Sequence, residues 1–370
     1  MMIINVTDFV NTRYLDDDAY LESKHLSVSR KGDLTLIKYK KECIQEDNIA
    51  NLGVLRSLIF KGDQLVCYSP PKSYNSMALP GAGDTQLEEY VEGTMINVFY
   101  DGDQWRISTR SKLDAETTFR VEGEYNKSFA EMFEDARREM NMSLDLLDQK
   151  YCYSFVVQHP GNRIVAPVAK PELVLCAVYH IEDNIVKEIC IHDNPELDIM
   201  FRRSTVRYVR LYDSSYDLYN APYYIQGLVW KVDGKRYKIR NQKYNYVRNL
   251  RGNQAKLQYH YYCLRRQYHK VQEFLQFFPE YATHFQQYEH ELQVFAYNLY
   301  QHYVNYYIYK KNQNNPYEFK NHMHSLHQIY HQTRKNMNMY VVQNYLCHLE
   351  PARLMYSINY NKRSPAVTVA

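Results

Sequence analysis

No apolar run in this sequence approaches the ~18 residues that a membrane-crossing helix requires, so a membrane-spanning chain is not expected. The first residues lack the charged-then-apolar pattern of a secretory leader, and secretion is not expected either. Cysteine is present seven times (Cys43, Cys67, Cys152, Cys176, Cys190, Cys263 and Cys347) but never as Cys-x-x-Cys. That scatter argues against a zinc site or a disulfide framework and for reduced, buried thiols in a cytosolic protein. Excess charge is also missing: 45 Lys and Arg nearly balance 42 acids, leaving +3, so any basic surface must be local. Glycine is scarce, 12 in 370 residues, and disappears after Gly252. Tyrosine is plentiful instead, at 38, within a globular composition that is 45% hydrophobic and 24% charged.

The length accommodates two domains of ordinary size. Residues 1–252 read as mostly β with a few helices. Strand-like runs recur at 34–39, 57–60, 64–68, 95–100 and 105–109, separated by turns such as Lys61-Gly62-Asp63 and Asp101-Gly102-Asp103. Apolar spacing of Phe129, Met132, Phe133 and Ala136 predicts a helix over 127–147 with Ser128 as its cap. Further strands are expected at 151–158, 173–181 and 185–191, then a hairpin of 225–232 and 235–240 through Asp233-Gly234. From 253 to 370 the period becomes helical: Phe274, Phe277, Phe278 and Tyr281, then Leu292, Phe295, Ala296 and Leu299. Pro279 and Asn314-Asn315-Pro316 are expected helix boundaries, and residues from Lys362 on a loose tail.

Seven segments carry polar or basic residues in a distinctive order. They are Leu55-Arg56-Ser57-Leu58-Ile59-Phe60, Ser69-Pro70-Pro71-Lys72-Ser73-Tyr74-Asn75, Glu89-Tyr90-Val91-Glu92-Gly93-Thr94 and Ser108-Thr109-Arg110-Ser111-Lys112. Tyr153-Ser154-Phe155 through Asn162-Arg163-Ile164-Val165 follows, then Ile225-Gln226-Gly227-Leu228-Val229 and Tyr237-Lys238-Ile239-Arg240 with Tyr244. In this order the set resembles the nucleotidyltransferase domain of RNA ligases of the phage tRNA-repair type (RNA ligase 1), over roughly residues 50–250. It also resembles lysine-less, ligase-like proteins of large cytoplasmic DNA viruses. The resemblance implies an α+β fold: a ligase-type nucleotidyltransferase domain of twisted antiparallel sheets with flanking helices, followed by an all-helical C-terminal domain. It also implies ATP and Mg²⁺ as cofactors if the chain is an active ligase, and RNA, tRNA-like in character, as partner.

The departures fall on the chemistry. The family's nucleophilic lysine is replaced by Tyr90, whose phenol has an ordinary pKa of about 10 and carries little phenolate at neutral pH. One metal-binding glutamate is Ser154 or Val156, depending on a short gap, and another is Gln226, a weak ligand for a hard cation. Glu92 and Gly93 persist. Arg56, Lys72, Arg110, Lys112, Arg163, Lys238 and Arg240 match positions that line the family's nucleotide cleft, where they would donate to phosphate oxygens. The same residues on strands would also suit an ordinary solvated face. Lys72 is the alternative nucleophile if the enzyme is active.

Between Lys231 and Lys270 the only acid is Asp233, against a dozen Lys and Arg interleaved with tyrosines. Lys243, Arg248, Arg251, Arg265 and Arg266 are therefore expected on an RNA-facing surface, the competing reading being a charged hairpin ahead of an ordinary helix. His324, His327 and His331 would share a helix face, but a hydrogen-bonded seam is favoured there and no metal site is assigned. Three functions follow. The first is a noncatalytic, ligase-like protein binding RNA and nucleotide. The others are an active ATP-dependent RNA ligase using Lys72, and a virion structural protein that engages other viral proteins. Host cytoplasm or virion is the expected location.

Overall fold

The computed structural model describes residues 2–80, 85–118, 126–192, 194–311 and 316–362. The expected boundary at Asn314-Asn315 and the tail from Arg363 on lie outside them. The architecture is α+β, and the chain divides into two compact units, Met1–Asn249 and Leu250–Ala370.

The first unit opens with β1 (Ile3–Asn5) and a short helix, α1 (Asp18–Ser23). Next come β2 (Leu26–Lys31), β3 (Leu34–Tyr39), the one-turn α2 (Ile49–Leu52), β4 (Leu58–Lys61) and β5 (Gln64–Tyr68). Strands β2 to β5 form a four-stranded antiparallel sheet in sequence order. The next strands are β6 (Tyr74–Asn75), β7 (Leu87–Glu89), β8 (Thr94–Tyr100) and β9 (Trp105–Thr109), then α3 (Phe129–Glu139) and β10 (Tyr151–Gln158). β11 (Glu172–Glu182), β12 (Ile185–Ile189), α4 (Pro195–Phe201), β13 (Arg207–Tyr208) and β14 (Leu211–Tyr212) follow. The hairpin β15 (Gly227–Val232) and β16 (Lys235–Arg240) leads into α5 (Gln242–Arg251). One sheet runs β1-β12-β11-β10-β8-β9, with β13 parallel to β11, and another runs β14-β7-β15-β16-β6.

β10 is central to the larger sheet and buried on both faces, hence its nearly continuous Tyr-Cys-Tyr-Ser-Phe-Val-Val sequence. On one face Phe155 meets α3, whose Met132, Phe133 and Ala136 are buried, with Phe133 and Phe155 ring centres 6.4 Å apart. Burying a side chain such as Phe133 contributes roughly 1.5–3 kcal/mol. On the other face Cys152 reaches Cys67 of β5, with sulfurs 3.5 Å apart and both thiols free. α3 starts where the sequence indicates, on a capping box of Ser128 and Glu131. It is shorter than the 127–147 predicted, because Asn141 takes a left-handed φ of 52°, just past the Met140 cap, and ends the helix.

The second unit holds α6 (Leu257–Leu264), α7 (Tyr268–Phe277), α8 (Ala282–Tyr303), α9 (Tyr317–Thr333), α10 (Met339–His348) and α11 (Pro351–Ile358). Pro279 opens the turn between α7 and α8, and Pro316 caps α9. Its core stacks Phe274 against Phe278 and Phe285 at 4.8 and 5.1 Å. No helix of the described residues is long and apolar enough to cross a membrane.

Candidate functional site

Two glycines set the geometry around Tyr90. Gly93 (φ 146°) passes so close to β10 that a Cβ would sit 2.4 Å from the Val157 carbonyl oxygen. Gly227 (φ 152°) opens β15, where a Cβ would be 2.1 Å from the Ile239 oxygen of β16. Any side chain at either position would force the strands apart. The Gly227 carbonyl accepts from the Tyr90 amide at 3.0 Å, which places the phenol beside β16.

Period-two alternation puts Arg236, Lys238 and Arg240 on one face of β16. Arg240 Nη2 donates to the Tyr90 hydroxyl at 3.5 Å, and its guanidinium carbon lies 5.7 Å from the ring centre. Lys238 Nζ is 5.6 Å from the same centre. Lys72 and Arg56 complete the cluster: Lys72 interacts with Tyr90, Lys238 and Arg56, and Arg56 with Arg236. The loop before β6 holds them in place. Arg56 donates to the Pro70 carbonyl at 3.4 Å, the Lys72 amide to Gly53 at 2.9 Å, and Arg236 hydrogen-bonds Ser73.

The acids flanking Tyr90 are committed elsewhere. Glu88 pairs with Lys231 at 3.0 Å and Glu89 with Arg207 at 2.6 Å. Glu92 is 5% exposed and accepts from the amides of Val165 (3.0 Å) and Ala166 (3.1 Å) and from the Tyr244 hydroxyl. Among the described residues, none of Arg56, Lys72, Arg236, Lys238 and Arg240 forms a salt bridge with a carboxylate, whereas Lys231 has two, to Glu88 and Glu188. Burial, then mutual repulsion, depresses the pKa of Lys72 and of Arg56. The same causes bring Lys238 to about 8, against the pull of Tyr90. Burial opposes ionisation of Tyr90, but Lys238 and Arg240 outweigh it and hold the phenol at about 8. The site is a cluster of cations with a phenol at its centre.

The chain has partial matches to viral proteins, and one of them is an RNA ligase. The RNA ligase of Rhodothermus phage RM378 is 30% identical over 105 residues, 26% of this chain and 23% of the phage protein. The immediate-early protein ICP-46 of Frog virus 3 (isolate Goorha) is 26% identical over 156 residues, 37% of this chain and 40% of that protein. The chain thus spans less than half the length of either curated relative. No family model matches it. Among solved structures, an archaeal ATP-dependent RNA ligase superposes with a TM-score of 0.40 at 12% identity, over 65% of this chain and 63% of that one.

The divalent metal that the motif resemblance implies does not fit the residues present. Ser154 is fully buried and donates to Asn97 Oδ1 at 2.9 Å, while Asn97 donates to Ser69 at 2.7 Å. That network consists of hydroxyls and an amide, with no carboxylate in it. Val156 is an apolar core residue, and Gln226 offers an amide. Among the described residues no three His, Cys, Asp or Glu side chains are grouped for a metal. A hard cation would meet ammonium and guanidinium groups here, and among the described residues Glu88 and Glu89 are already paired with Lys231 and Arg207.

Arg110 stacks over Tyr39 at 4.4 Å and donates to the carbonyls of Arg56 and Tyr39, each at 3.3 Å. The Lys112 backbone closes a turn on Thr109. Arg163 donates to the Val165 carbonyl at 3.1 Å, on the loop that Glu92 braces. Lys243 is exposed and Arg248 half-buried on α5. Arg251 is 3% exposed, packed over Phe278 and Tyr281. Arg265 and Arg266 spend their guanidinium groups on the carbonyls ending α10: Leu346, Cys347 and Leu349 for the first, Cys347, His348 and Leu349 for the second. His327 stacks on Tyr307 at 3.8 Å and its Nε2 lies 3.1 Å from that of His331. Arg236, absent from the expected site, belongs to it, and the i, i+2, i+4 spacing of Arg236, Lys238 and Arg240 was its signal.

Proposed function

We propose that this chain is an RNA-ligase-like nucleotidyltransferase module, catalytically degenerate, that binds nucleotide and RNA through phosphate without forming a lysyl-adenylate. The observation that carries the reading is the group of five cations around a tyrosine where the resembled enzymes have their nucleophilic lysine. The partial match to a phage RNA ligase supports RNA as the polymer, and the viral relatives support host cytoplasm or virion as its location. Lys243 and Arg248 are the basic side chains best disposed to extend RNA contact beyond the cleft. The test is incubation with α-labelled ATP and magnesium, followed by denaturing electrophoresis. No covalent label is expected, alongside measurable binding of ATP or RNA in solution.

A second reading has its own observation. Lys72, the alternative nucleophile, lies in the same cluster with its ammonium pKa depressed, as that of Lys238 is, which raises its share of free amine for attack on an α-phosphate. Label that appears in the wild type and vanishes in Lys72→Ala would establish that ligase reading and end the first.

A further inference from the structure

Resting on the reading of the Tyr90 cleft as a phosphate site, we infer that it takes a nucleoside 5′-polyphosphate without a divalent cation, its own cations filling the metal's place. The ligand class is a free nucleoside triphosphate or the triphosphorylated 5′ end of an RNA, which present the same chain of phosphates.

A metal-dependent site places carboxylates so that Mg²⁺ bridges them to phosphate oxygens. Here the acids nearest Tyr90 in sequence are engaged elsewhere: Glu88 with Lys231, Glu89 with Arg207, and Glu92 with two backbone amides and Tyr244. Ser154 is satisfied by Asn97. Arg56, Lys72, Arg236, Lys238 and Arg240 form no salt bridge with a carboxylate among the described residues; Lys72 and Lys238 face each other, Arg240 and the Tyr90 phenol, and Arg56 faces Arg236, Tyr39 and Arg110. Holding such a group together in a partly desolvated cleft is unfavourable, and a polyanion removes that cost directly. Magnesium would do the opposite. Chelated to the phosphates it subtracts two positive charges' worth of attraction and sits among like charges.

Arg236, beyond Lys238 on the same face of β16, extends the cluster along the strand, and Lys72 joins it beside Arg56 and Lys238. Arg236 is tied to Ser73, and Lys72 is bound through its amide to Gly53, so both are fixed by the 70–75 segment before any ligand arrives. A single phosphate could be held by Lys238 and Arg240 alone. The additional pair gives a phosphate chain contacts at more than one unit.

The experiment measures binding of fluorescent ATP and of a 5′-triphosphorylated RNA by the full chain, in EDTA and in excess magnesium. The expected result is affinity in EDTA at least equal to that in magnesium, with the tighter probe identifying the natural carrier. Lys72→Met and Arg236→Met should each weaken binding in EDTA by about tenfold, one charge-assisted contact apiece. Gln226→Glu supplies a carboxylate and should make magnesium strengthen binding instead of weakening it. Thermal melting of each variant separates lost contacts from lost fold. Binding that requires magnesium in the wild type overturns this inference and leaves the phosphate-site reading standing. No binding of either probe under any condition removes that reading as well.

Discussion

Raising the pH should release a polyphosphate from the Tyr90 cleft, and the size of the effect follows from two neighbouring groups. Tyr90 and Lys238 are both brought to about 8, the phenol pulled down against burial by Lys238 and Arg240, the ammonium pushed down by burial, Lys72, Arg240 and Arg236. Each holds the other's charged form, so they lose protons as a pair, and the first departs near pH 8. Whichever group releases it, the cleft becomes one unit less positive. A polyanion favours the protonated cleft, so affinity falls by a factor approaching ten per pH unit above the midpoint. From about pH 7.5 to about 9.5 the loss is about 20-fold for that single proton. Titration calorimetry with ATP, whose phosphates are fully ionised throughout this range, measures it. Two variants locate the proton. Tyr90→Phe leaves Lys238 to lose its proton alone, and because one of the two routes for the first proton is gone, the midpoint does not fall below that of the wild type. Lys238→Met removes a main cation holding the phenolate, and the midpoint climbs towards the ordinary phenol value of about 10. An affinity that stays flat across the range, or a midpoint that neither variant shifts, would refute the reasoning.

Other outcomes are equally specific. Gly227→Ala should cost about 3 kcal/mol or more in chemical denaturation, because its Cβ would lie 2.1 Å from the Ile239 oxygen. Gly234→Ala, at a left-handed φ of 71° but with nothing within 4 Å, should cost only about 1 kcal/mol. In the helical unit His322 is 2% exposed between Tyr345 (2.9 Å) and Ser357 (2.7 Å), and burial followed by Arg353 depresses it to about 4. Its folded pKa is below the unfolded value of about 6.5, so the unfolded chain takes the proton first and stability drains away as pH falls from there towards 4. The loss is about 2 to 3 kcal/mol by about pH 4.5. Melting followed by circular dichroism should show a shallower acid slope in His322→Phe than in the wild type, and equal slopes would rule this out.

Local chemistry announced much of the first unit. Asp233-Gly234 and Asp101-Gly102 mark hairpins that form where expected, and the apolar run of β10 betrays a strand buried on both faces. The helix over 127–147 overran because apolar spacing continues past Met140, while termination depends on one backbone dihedral at Asn141. Within the site, motif order sufficed to join Tyr90 to Lys238 and Arg240, since Gly227 and the hairpin register do the rest. Glu92 was legible as an important acid, but its amide partners lie more than 70 residues away in sequence. Distance along the chain also hid the work of Arg265 and Arg266, which cap α10 from some 80 residues upstream and had looked like part of a basic stretch facing RNA. The interleaved tyrosines divide in the same way, with Tyr244 and Tyr262 in the cores and Tyr246 and Tyr268 exposed.

The bracing of Glu92 bears on how quickly and how cheaply the cleft can be filled. Its carboxylate pins the amides of Val165 and Ala166, Gln158 holds its carbonyl at 2.8 Å, and Asn162 ties the same loop to Thr94 at 3.0 Å. The rim beside Tyr90 is therefore rigid before anything docks, its ordering entropy already spent when the polypeptide folds. An incoming guest need not organise its own receptor, so the energy of each new contact goes into residence time.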